Sequence, residues 1–288
     1  MSGKRDLYRY ISFEDFINLV VNKKDRFVRP VCWDDKYESY IFSYIEKEGD
    51  IRRIVEDMYY NHWSKKYDVI VKNFLKMWHS KWFTYAQCWS IYPETDAMWR
   101  CYSYGNKSIR IRTTNEKLLI HAKKVFPEKE CFEVYLRKVE YDLSDKSGIE
   151  QQIEEMKHSR SINETYFHKR PVFEHEGEYR LLIADNSLYD ADDMASSGII
   201  SRLQEQIEGK SDEEIINKIT QEIVKERADW DRLNNNIRIE NIEDVNEFLE
   251  GVMVHPLAPA WYVDIIEQIC NSTKIYFDKQ SQIYNLQF

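Results

Sequence analysis

The first twenty residues show a strand pattern followed by a helix pattern. Residues 7–11 read Leu-Tyr-Arg-Tyr-Ile, and these residue types favour an extended strand. Ser12 stands where the N-cap of a helix is expected. The apolar residues that follow recur at helical spacing, at Phe13, Phe16, Ile17 and Val20. The pattern predicts a strand that carries Arg9, followed by a short amphipathic helix.

Helical spacing returns between about residues 50 and 82, where it predicts two helices. The apolar positions are Ile51, Ile54, Val55 and Met58, then Val69, Val71, Phe74, Leu75 and Trp78. Residues 83–91 have the length and the aromatic content of a buried strand, which places Ser90 at its C-terminal end. A helical turn over residues 98–102 is predicted next, and Gly105 is expected to end it.

The middle of the chain continues with alternating element types. Residues 107–113 alternate polar and apolar positions with period two, so we expect a half-exposed strand. A helix is predicted over residues 115–125 and a strand over residues 132–141. Residues 148–167 are rich in Glu and Gln and predict a polar helix.

The pattern changes between about residues 186 and 236, which we interpret as a helical excursion from the core. It begins with an acidic loop of small residues at about 190–198 and continues as a charged helix from 211 to about 233. Core-like sequence then resumes with a strand, a helix and a last strand, at residues 251–256, 258–270 and 274–277. Together the elements predict an α+β fold with a central split or mainly antiparallel sheet flanked by helices.

The composition fits one folded domain over residues 1–288, with 14% aromatic residues and only 8 Gly and 6 Pro. The net charge of −9 argues against broad electrostatic binding of nucleic acid, which needs a basic surface. The five cysteines form no Cys-x-x-Cys pair, which favours a reduced compartment over a disulfide framework or a zinc site. No apolar run approaches the roughly 18 residues of a membrane span, so we expect a cytoplasmic protein.

Candidate chemistry is concentrated in residues 174–183, which read Glu-His-Glu-Gly-Glu-Tyr-Arg-Leu-Leu-Ile. If this segment is an extended strand, Glu176, Glu178 and Arg180 project from one face. Gly177 lies between the two acids, where a glycine weakens a strand but lets the backbone bend or a ligand approach closely. We expect Arg180 to fix the glutamates by ion pairing.

Three polar strand segments follow in the order arginine, serine, Glu-x-Glu: Arg9, Ser90, and Glu176 with Glu178. This order resembles the ADP-ribosyltransferase superfamily, although Cys88-Trp89-Ser90 keeps only the last serine of the usual Ser-Thr-Ser. The resemblance implies that Arg9 grips the phosphates or ribose of NAD and that Ser90 shapes the nicotinamide pocket. It further implies that Glu178 holds the ribose and stabilises the oxocarbenium-like transition state, while Glu176 orients or deprotonates the acceptor. Nearby aromatic residues are expected to stack on nicotinamide or adenine: Tyr8, Tyr10, Trp89 and Tyr102.

A second resemblance covers nearly the whole chain apart from the helical excursions. The residues that carry it are Leu7 to Tyr10, the turn from Asp34 to Glu38, Cys88 to Ser90, Met98 to Tyr102, Val139 to Tyr141, Glu176 to Arg180, and Val254 to Pro256. The chain resembles an uncharacterised bacterial domain-of-unknown-function family, family 2971, with Cys-Trp-Ser in place of the usual Cys-Phe-Ser. Members often occur near phage-defence or toxin-antitoxin genes. The resemblance therefore implies a toxin-like effector with a possible neutralising antitoxin, acting on an RNA, DNA or protein acceptor.

Two alternatives from other classes stay open. The first is a non-catalytic module that binds nucleic acid or a protein partner through the acidic cluster and the aromatic residues. The second is a metal-dependent nuclease, in which the carboxylates would bind a divalent cation beside a lysine. Its residues would be Asp34, Asp35, Glu38, Glu176, Glu178 and Lys169. His168 and His175 have no standard metal-ligand spacing, and no resident metal is predicted.

Overall fold

One nine-stranded sheet runs through the computed structural model, which describes residues 3–39, 42, 48–62, 66–143, 162–186, 189–230 and 237–285. The strands are β1 (Asp6–Ile11), β2 (Lys24–Val28), β3 (Thr84–Ser90), β4 (Ile109–Thr114), β5 (Phe132–Lys138), β6 (Glu178–Asp185), β7 (Ile237–Asn241), β8 (Gly251–Val254) and β9 (Phe277–Gln280). Their main order is β5-β6-β3-β1-β4-β8-β9, while β2 pairs with β3 and β7. All of these pairings are antiparallel except the one between β8 and β9. The predicted α+β fold with a mainly antiparallel sheet is confirmed.

Helices cover both faces of this sheet. They are α1 (Phe13–Val20), α2 (Glu48–Asp57), α3 (Tyr67–Phe83), α4 (Asp96–Cys101), α5 (Asn115–Val125), α6 (Tyr189–Ile207), α7 (Asp212–Trp230) and α8 (Ala260–Thr273). Three short 3₁₀ helices matter for the site, at Lys36–Ser39, Ile162–Phe167 and Pro171–Glu176. Helix α8 connects the parallel strands β8 and β9, as expected because parallel neighbours need a crossover connection.

The sheet forks along one edge of β3. On its other edge, β3 pairs with β6 over its whole length, from Thr84 to Ser90. The forked edge is shared by two strands, because β1 pairs there at Ser90 through Tyr8, whereas β2 pairs at Ala86 through Val28. Strands β1 and β2 therefore separate beside β3, and the opening between β1 and β3 lies next to the polar residues at their ends.

Two hydrophobic cores lie on opposite faces of the sheet, and strand alternation assigns residues to each. Leu181 and Ile183 of β6 enter the core formed with α1, α5 and α8, whereas Leu182 enters the core formed with α2, α3, α6 and α7. All three leucine and isoleucine side chains are fully buried. Each such burial contributes about 2 kcal/mol to folding, so the strand is firmly fixed from both sides.

The residues interpreted as an excursion are integral to the second core. The prediction of an acidic loop at about 190–198 is wrong, because α6 begins at Tyr189 and continues through this segment. The charged helix predicted from 211 is confirmed as α7. Ile199, Leu203 and Ile219 are fully buried against α2 and α3, so the two helices pack on the sheet domain through apolar contacts.

Several local predictions are confirmed and others are corrected. Ser12 caps α1 by accepting a hydrogen bond from the backbone N–H of Asp15 at 3.1 Å, and α5 has the predicted bounds. The strand β4 is almost wholly buried rather than half exposed, with only Arg112 partly accessible. The last strand begins at Phe277, later than predicted, because Lys274 still caps α8 in a left-handed conformation.

The predicted polar helix over residues 148–167 falls mostly outside the described residues. Its described end, Ile162–Phe167, is a 3₁₀ helix. Among the helices of the described ranges, none combines the length and the hydropathy that a membrane span requires.

Candidate functional site

The two acids of the Glu-x-Glu segment do not lie on one strand. Glu176 ends the 3₁₀ helix Pro171–Glu176 and Glu178 begins β6, so the predicted strand face through Glu176, Glu178 and Arg180 is wrong. Gly177 makes the turn between them with φ of 51°, in the left-handed region that favours glycine. A Cβ atom there would lie 2.5 Å from Tyr92 Cε2, so the Tyr92 ring also leaves no room for a side chain at this position.

The two carboxylates nevertheless meet, because both contact the ammonium group of Lys169. Its Nζ atom donates to Glu176 Oε2 at 2.5 Å and to Glu178 Oε2 at 3.1 Å. A third carboxylate oxygen, Oε1 of Glu38, lies 3.3 Å from the same nitrogen. All four side chains are buried, so these contacts are made away from bulk water.

Arg180 binds two of these three carboxylates, Glu178 and Glu38. Its Nε donates to Glu178 Oε1 at 2.6 Å and its Nη2 donates to Glu178 Oε2 at 3.0 Å, while Nη2 also pairs with Glu38. Nη1 donates to the carbonyl oxygen of Tyr166 at 2.5 Å, and the guanidinium stands 4.3 Å from the ring of Trp33. The ion pair predicted for Arg180 is confirmed with Glu178.

Three carboxylates face two cations, so the cluster carries one excess negative charge when Glu38, Glu176, Glu178, Lys169 and Arg180 are all ionised. Burial acts to raise the pKa of Glu178, but the charges of Arg180 and Lys169 outweigh it and lower that pKa to about 2. Burial raises the pKa of Glu38 despite the same two cations. The cluster therefore holds Glu178 more firmly in its charged form than Glu38.

A pocket opens beside this cluster, where β1 and β3 separate. Its lining residues are Tyr8, Arg9, Tyr10, Cys88, Trp89, Ser90, Met98, Tyr102, Glu176 and Glu178. All seven residues that sequence reasoning assigned to the site belong to this set. The structure thus brings together segments that lie far apart in the sequence.

Ser90 and Tyr102 hold the segment that carries Glu176. The hydroxyl of Ser90 donates to the main-chain oxygen of Glu176 at 2.7 Å and accepts from the N–H of Tyr92 at 3.0 Å. The hydroxyl of Tyr102 lies 3.4 Å from Glu176 Oε1, and its ring stacks on Tyr10 with centroids 6.4 Å apart. Burial raises the pKa of Tyr102, with Glu176 adding to the effect, so this hydroxyl stays protonated and can donate.

Arg9 and Trp89 line the pocket while their polar groups bond elsewhere. The guanidinium of Arg9 reaches strand β2, where Nη1 lies 3.5 Å from Asp25 and Nη2 donates to the carbonyl oxygen of Arg26 at 3.3 Å. The indole of Trp89 is buried in the first core and donates to Gln87 at 3.3 Å. Among the aromatic rings of the pocket lining, Tyr102 is therefore the most accessible to a ligand, whereas Tyr10 is buried against Met98 and Trp99.

The sequence did not signal that Lys169 and Glu38 join the buried ion-pair cluster, and the two were named together only in the nuclease alternative. Lys169 lies in an irregular segment and Glu38 in a short 3₁₀ helix, so no periodicity signals that they meet. Cys88 was also missed as a partner. Its partly buried thiol hydrogen-bonds to Glu178, and desolvation raises the pKa of the thiol well above its usual range. It therefore stays a neutral thiol.

Four of the five carboxylates named for a metal-dependent nuclease form ion pairs with cations of the chain itself. The Lys169 ammonium occupies the position between Glu38, Glu176 and Glu178, where a metal ion would bind. Asp35 instead forms a two-pronged ion pair with Arg170, at 3.1 Å for each contact. In the part of the chain that the structure describes, no group of three or more His, Cys, Asp or Glu side chains has an arrangement that could hold a metal ion.

Comparison with protein families gives one match, which covers part of the site. Residues 98–181 match the sequence model of a family described as a protein of unknown function (DUF2971). This segment contains Tyr102, Lys169, Glu176, Glu178 and Arg180, whereas the strands that carry Arg9 and Ser90 precede it. Comparisons with curated proteins and with solved structures found no match.

Proposed function

We propose that this chain transfers ADP-ribose from NAD to a macromolecular acceptor. The observation that supports the proposal is the shared pocket, in which Arg9 of β1, Ser90 of β3 and Glu178 of β6 meet beside the fork in the sheet. The same three residue types, in the same order along the chain, carry the resemblance to the ADP-ribosyltransferase superfamily. NAD is the substrate that this arrangement would take.

Glu178 supplies the electrostatic part of the proposed reaction. When the bond between C1′ of the ribose and the nicotinamide nitrogen breaks, the bonding electrons leave with neutral nicotinamide and positive charge develops on the ribose. A buried carboxylate that stays ionised stabilises this charge, and fixed groups of this kind contribute about 3–4 kcal/mol to the transition state. The low pKa of Glu178 suits that role.

Glu176 is better placed to act on the acceptor. Its Oε2 is held by Lys169, whereas Oε1 faces the hydroxyl of Tyr102 on the pocket side. An acceptor group that approaches C1′ would form the new bond there and pass its proton to Oε1. The reaction then balances, because nicotinamide leaves neutral and the acceptor proton moves to a carboxylate.

Binding of NAD requires Tyr102 to move. The cavity is small, about 40 Å³, and Tyr102 forms one wall while remaining 44% exposed. Rotation of this ring away from Tyr10 would open space for the nicotinamide ribose. The diphosphate would then lie outside the cavity, near the accessible part of the Arg9 side chain, which is 15% exposed.

In the cell, the proposed transfer would serve a toxin-like effector in phage defence or in a toxin-antitoxin system. The support for this part is the resemblance to the family of unknown function. A neutralising antitoxin would be the expected partner in that setting.

The test is incubation of the purified chain with labelled NAD and bacterial lysate, followed by separation into nucleic-acid and protein fractions. Label in one fraction, with matching nicotinamide release, is the expected result. A folded preparation that transfers no label and releases no nicotinamide would overturn the proposal. Binding of a lysate component without NAD turnover would favour a non-catalytic binding module instead.

A further inference from the structure

We infer that Lys169 is the positioning residue of this site, because its ammonium group fixes Glu176 so that one carboxylate oxygen is left for the acceptor. The inference rests on the proposed function. It adds a residue that lies outside the arginine, serine and Glu-x-Glu set and is not itself part of the pocket lining, although it contacts two lining residues, Glu176 and Glu178.

The oxygen atoms of Glu176 and Glu178 differ in the groups that they contact, and the inference is based on this difference. Both oxygens of Glu178 accept hydrogen bonds from cations, Oε1 from Arg180 and Oε2 from Arg180 and Lys169. Glu176 differs, since its Oε2 accepts from Lys169 at 2.5 Å and its Oε1 has the longer contact of 3.4 Å with Tyr102. The neutral hydroxyl of Tyr102 is thus the group that an acceptor would displace.

The backbone around Lys169 fixes the position of its ammonium group. The N–H of Lys169 donates to the carbonyl oxygen of Glu140 at 2.9 Å, and its own carbonyl oxygen accepts from Leu143 at 3.2 Å. The next residue, Arg170, is tied to Asp35 by two hydrogen bonds. The side chain is only 8% exposed and its nitrogen lies 4.7 Å from the ring of Phe173. The main chain is therefore held on both sides of Lys169, which limits how far its ammonium group can follow a carboxylate that rotates.

Removal of the ammonium charge should release Glu176 more than Glu178. In a Lys169→Met variant, Glu178 keeps both of its bonds to Arg180, whereas Glu176 loses the contact that fixes its Oε2. The repulsion between neighbouring carboxylates then favours rotation of Glu176 away from the cluster. Displacement of a reacting group by about 1 Å can cost about 100-fold in rate. Transfer to the acceptor should therefore fall far more than nicotinamide release.

The experiment measures nicotinamide release and label transfer side by side in the wild-type chain and in Lys169→Met, Lys169→Arg and Lys138→Met. Lys138 is an exposed lysine at the end of β5 and serves as the matched control. We expect Lys169→Met to lower the ratio of transfer to release by about 100-fold. Lys169→Arg should recover much of that ratio because it keeps the charge, and the control should match the wild-type chain.

The ratio separates a positioning role from a structural one. A variant that only loses folded protein loses transfer and release equally, so an unchanged ratio in Lys169→Met would overturn the inference. If Lys169→Met does not fold, Lys169→Gln replaces it, since the amide retains a hydrogen-bond donor without the charge. A wild-type chain that releases no nicotinamide would instead refute the proposed function, which makes the two failures distinguishable.

Discussion

Glu176 and Glu178 share one ammonium group although the backbone reverses between them. Lys169 Nζ lies 2.5 Å from Oε2 of Glu176 and 3.1 Å from Oε2 of Glu178, and Gly177 turns the chain with a φ of 51°. Glu178 also binds Arg180 through both oxygens, whereas Glu176 keeps Oε1 toward Tyr102. The two acids therefore have different environments, and the proposed reaction gives them different roles.

A Glu176→Gln variant should lose transfer to the acceptor while it retains release of nicotinamide. The amide cannot accept the acceptor's proton, and loss of a general base costs about 100-fold or more in rate. Glu178 keeps its contacts with Arg180, so the charge beside the ribose is preserved. Label transfer and nicotinamide release, assayed in the same reaction mixture, check this prediction.

The matched control for Glu176→Gln is Glu174→Gln, which removes the same charge from an exposed side chain two residues earlier. It should transfer ADP-ribose like the wild-type chain. Wild-type transfer by Glu176→Gln would remove this residue from the proposed mechanism.

A Gly177→Ala substitution should destabilise the chain more than Gly105→Ala. Both glycines have positive φ, 51° and 62°, so both substitutions strain the backbone by about 1 kcal/mol. At Gly177 the added Cβ would also meet Tyr92 at 2.5 Å and Ile91 at 2.9 Å, whereas nothing lies within 4 Å at Gly105. Chemical denaturation of both variants gives the comparison. Equal losses would show that the Tyr92 contact imposes no constraint.

Arg180→Met should lower the free energy of unfolding by about 3–5 kcal/mol. Arg180 is fully buried, and its removal leaves the carboxylates of Glu178 and Glu38 without their closest cation. Urea denaturation against Arg100→Met, a change at an exposed arginine of α4, measures the effect. A loss no larger than that of the control would mean that the buried network contributes little to stability.

The stability of the chain should fall as the pH drops from about 4.5 to about 2. Glu178 has a folded-state pKa of about 2 against its usual value of 4.5, so its ionised form stabilises the folded state above pH 4.5 and this contribution is lost below it. The difference amounts to about 3 kcal/mol. The pKa of Glu38 is raised, so protonation of this residue as the pH falls favours the folded state and acts in the opposite direction to that of Glu178. Denaturation curves of the wild-type chain and of Glu178→Gln across this range should therefore converge as the pH falls. A stability difference between the two proteins that stays constant across this pH range would contradict the lowered pKa of Glu178.

Local signals in the sequence were sufficient for most elements of the fold. The cap at Ser12, the apolar spacing of α2 and α3 and the bounds of α5 depend on residues close together in the chain, and all are confirmed. The strand β7 and the helical start of α6 were missed. Ile237–Asn241 is stabilised by pairing with β2, which lies more than two hundred residues away in the sequence. The periodicity of a short segment gives no information about such a distant partner.

In the site, too, features that depend on neighbouring residues could be predicted from the sequence, whereas contacts between separate elements could not. Arg9, Ser90 and the two glutamates were identified because they stand at the ends of strand-like segments, and the structure places them on one pocket. Lys169 was named only in the metal-dependent nuclease alternative, since its contacts depend on three carboxylates that come from separate elements. The shared strand face was wrong because Gly177 adopts a left-handed conformation, which a sequence permits but does not dictate.

The most direct test of NAD cleavage in this pocket is nicotinamide release by the wild-type chain and by Glu178→Gln, with folding of both verified by their thermal unfolding. The wild-type chain should release nicotinamide from NAD, and the variant should do so about 100- to 1,000-fold more slowly, because the amide cannot stabilise the charge that develops on the ribose. No release by the folded wild-type chain, or equal release by the two proteins, would contradict the proposed role of Glu178.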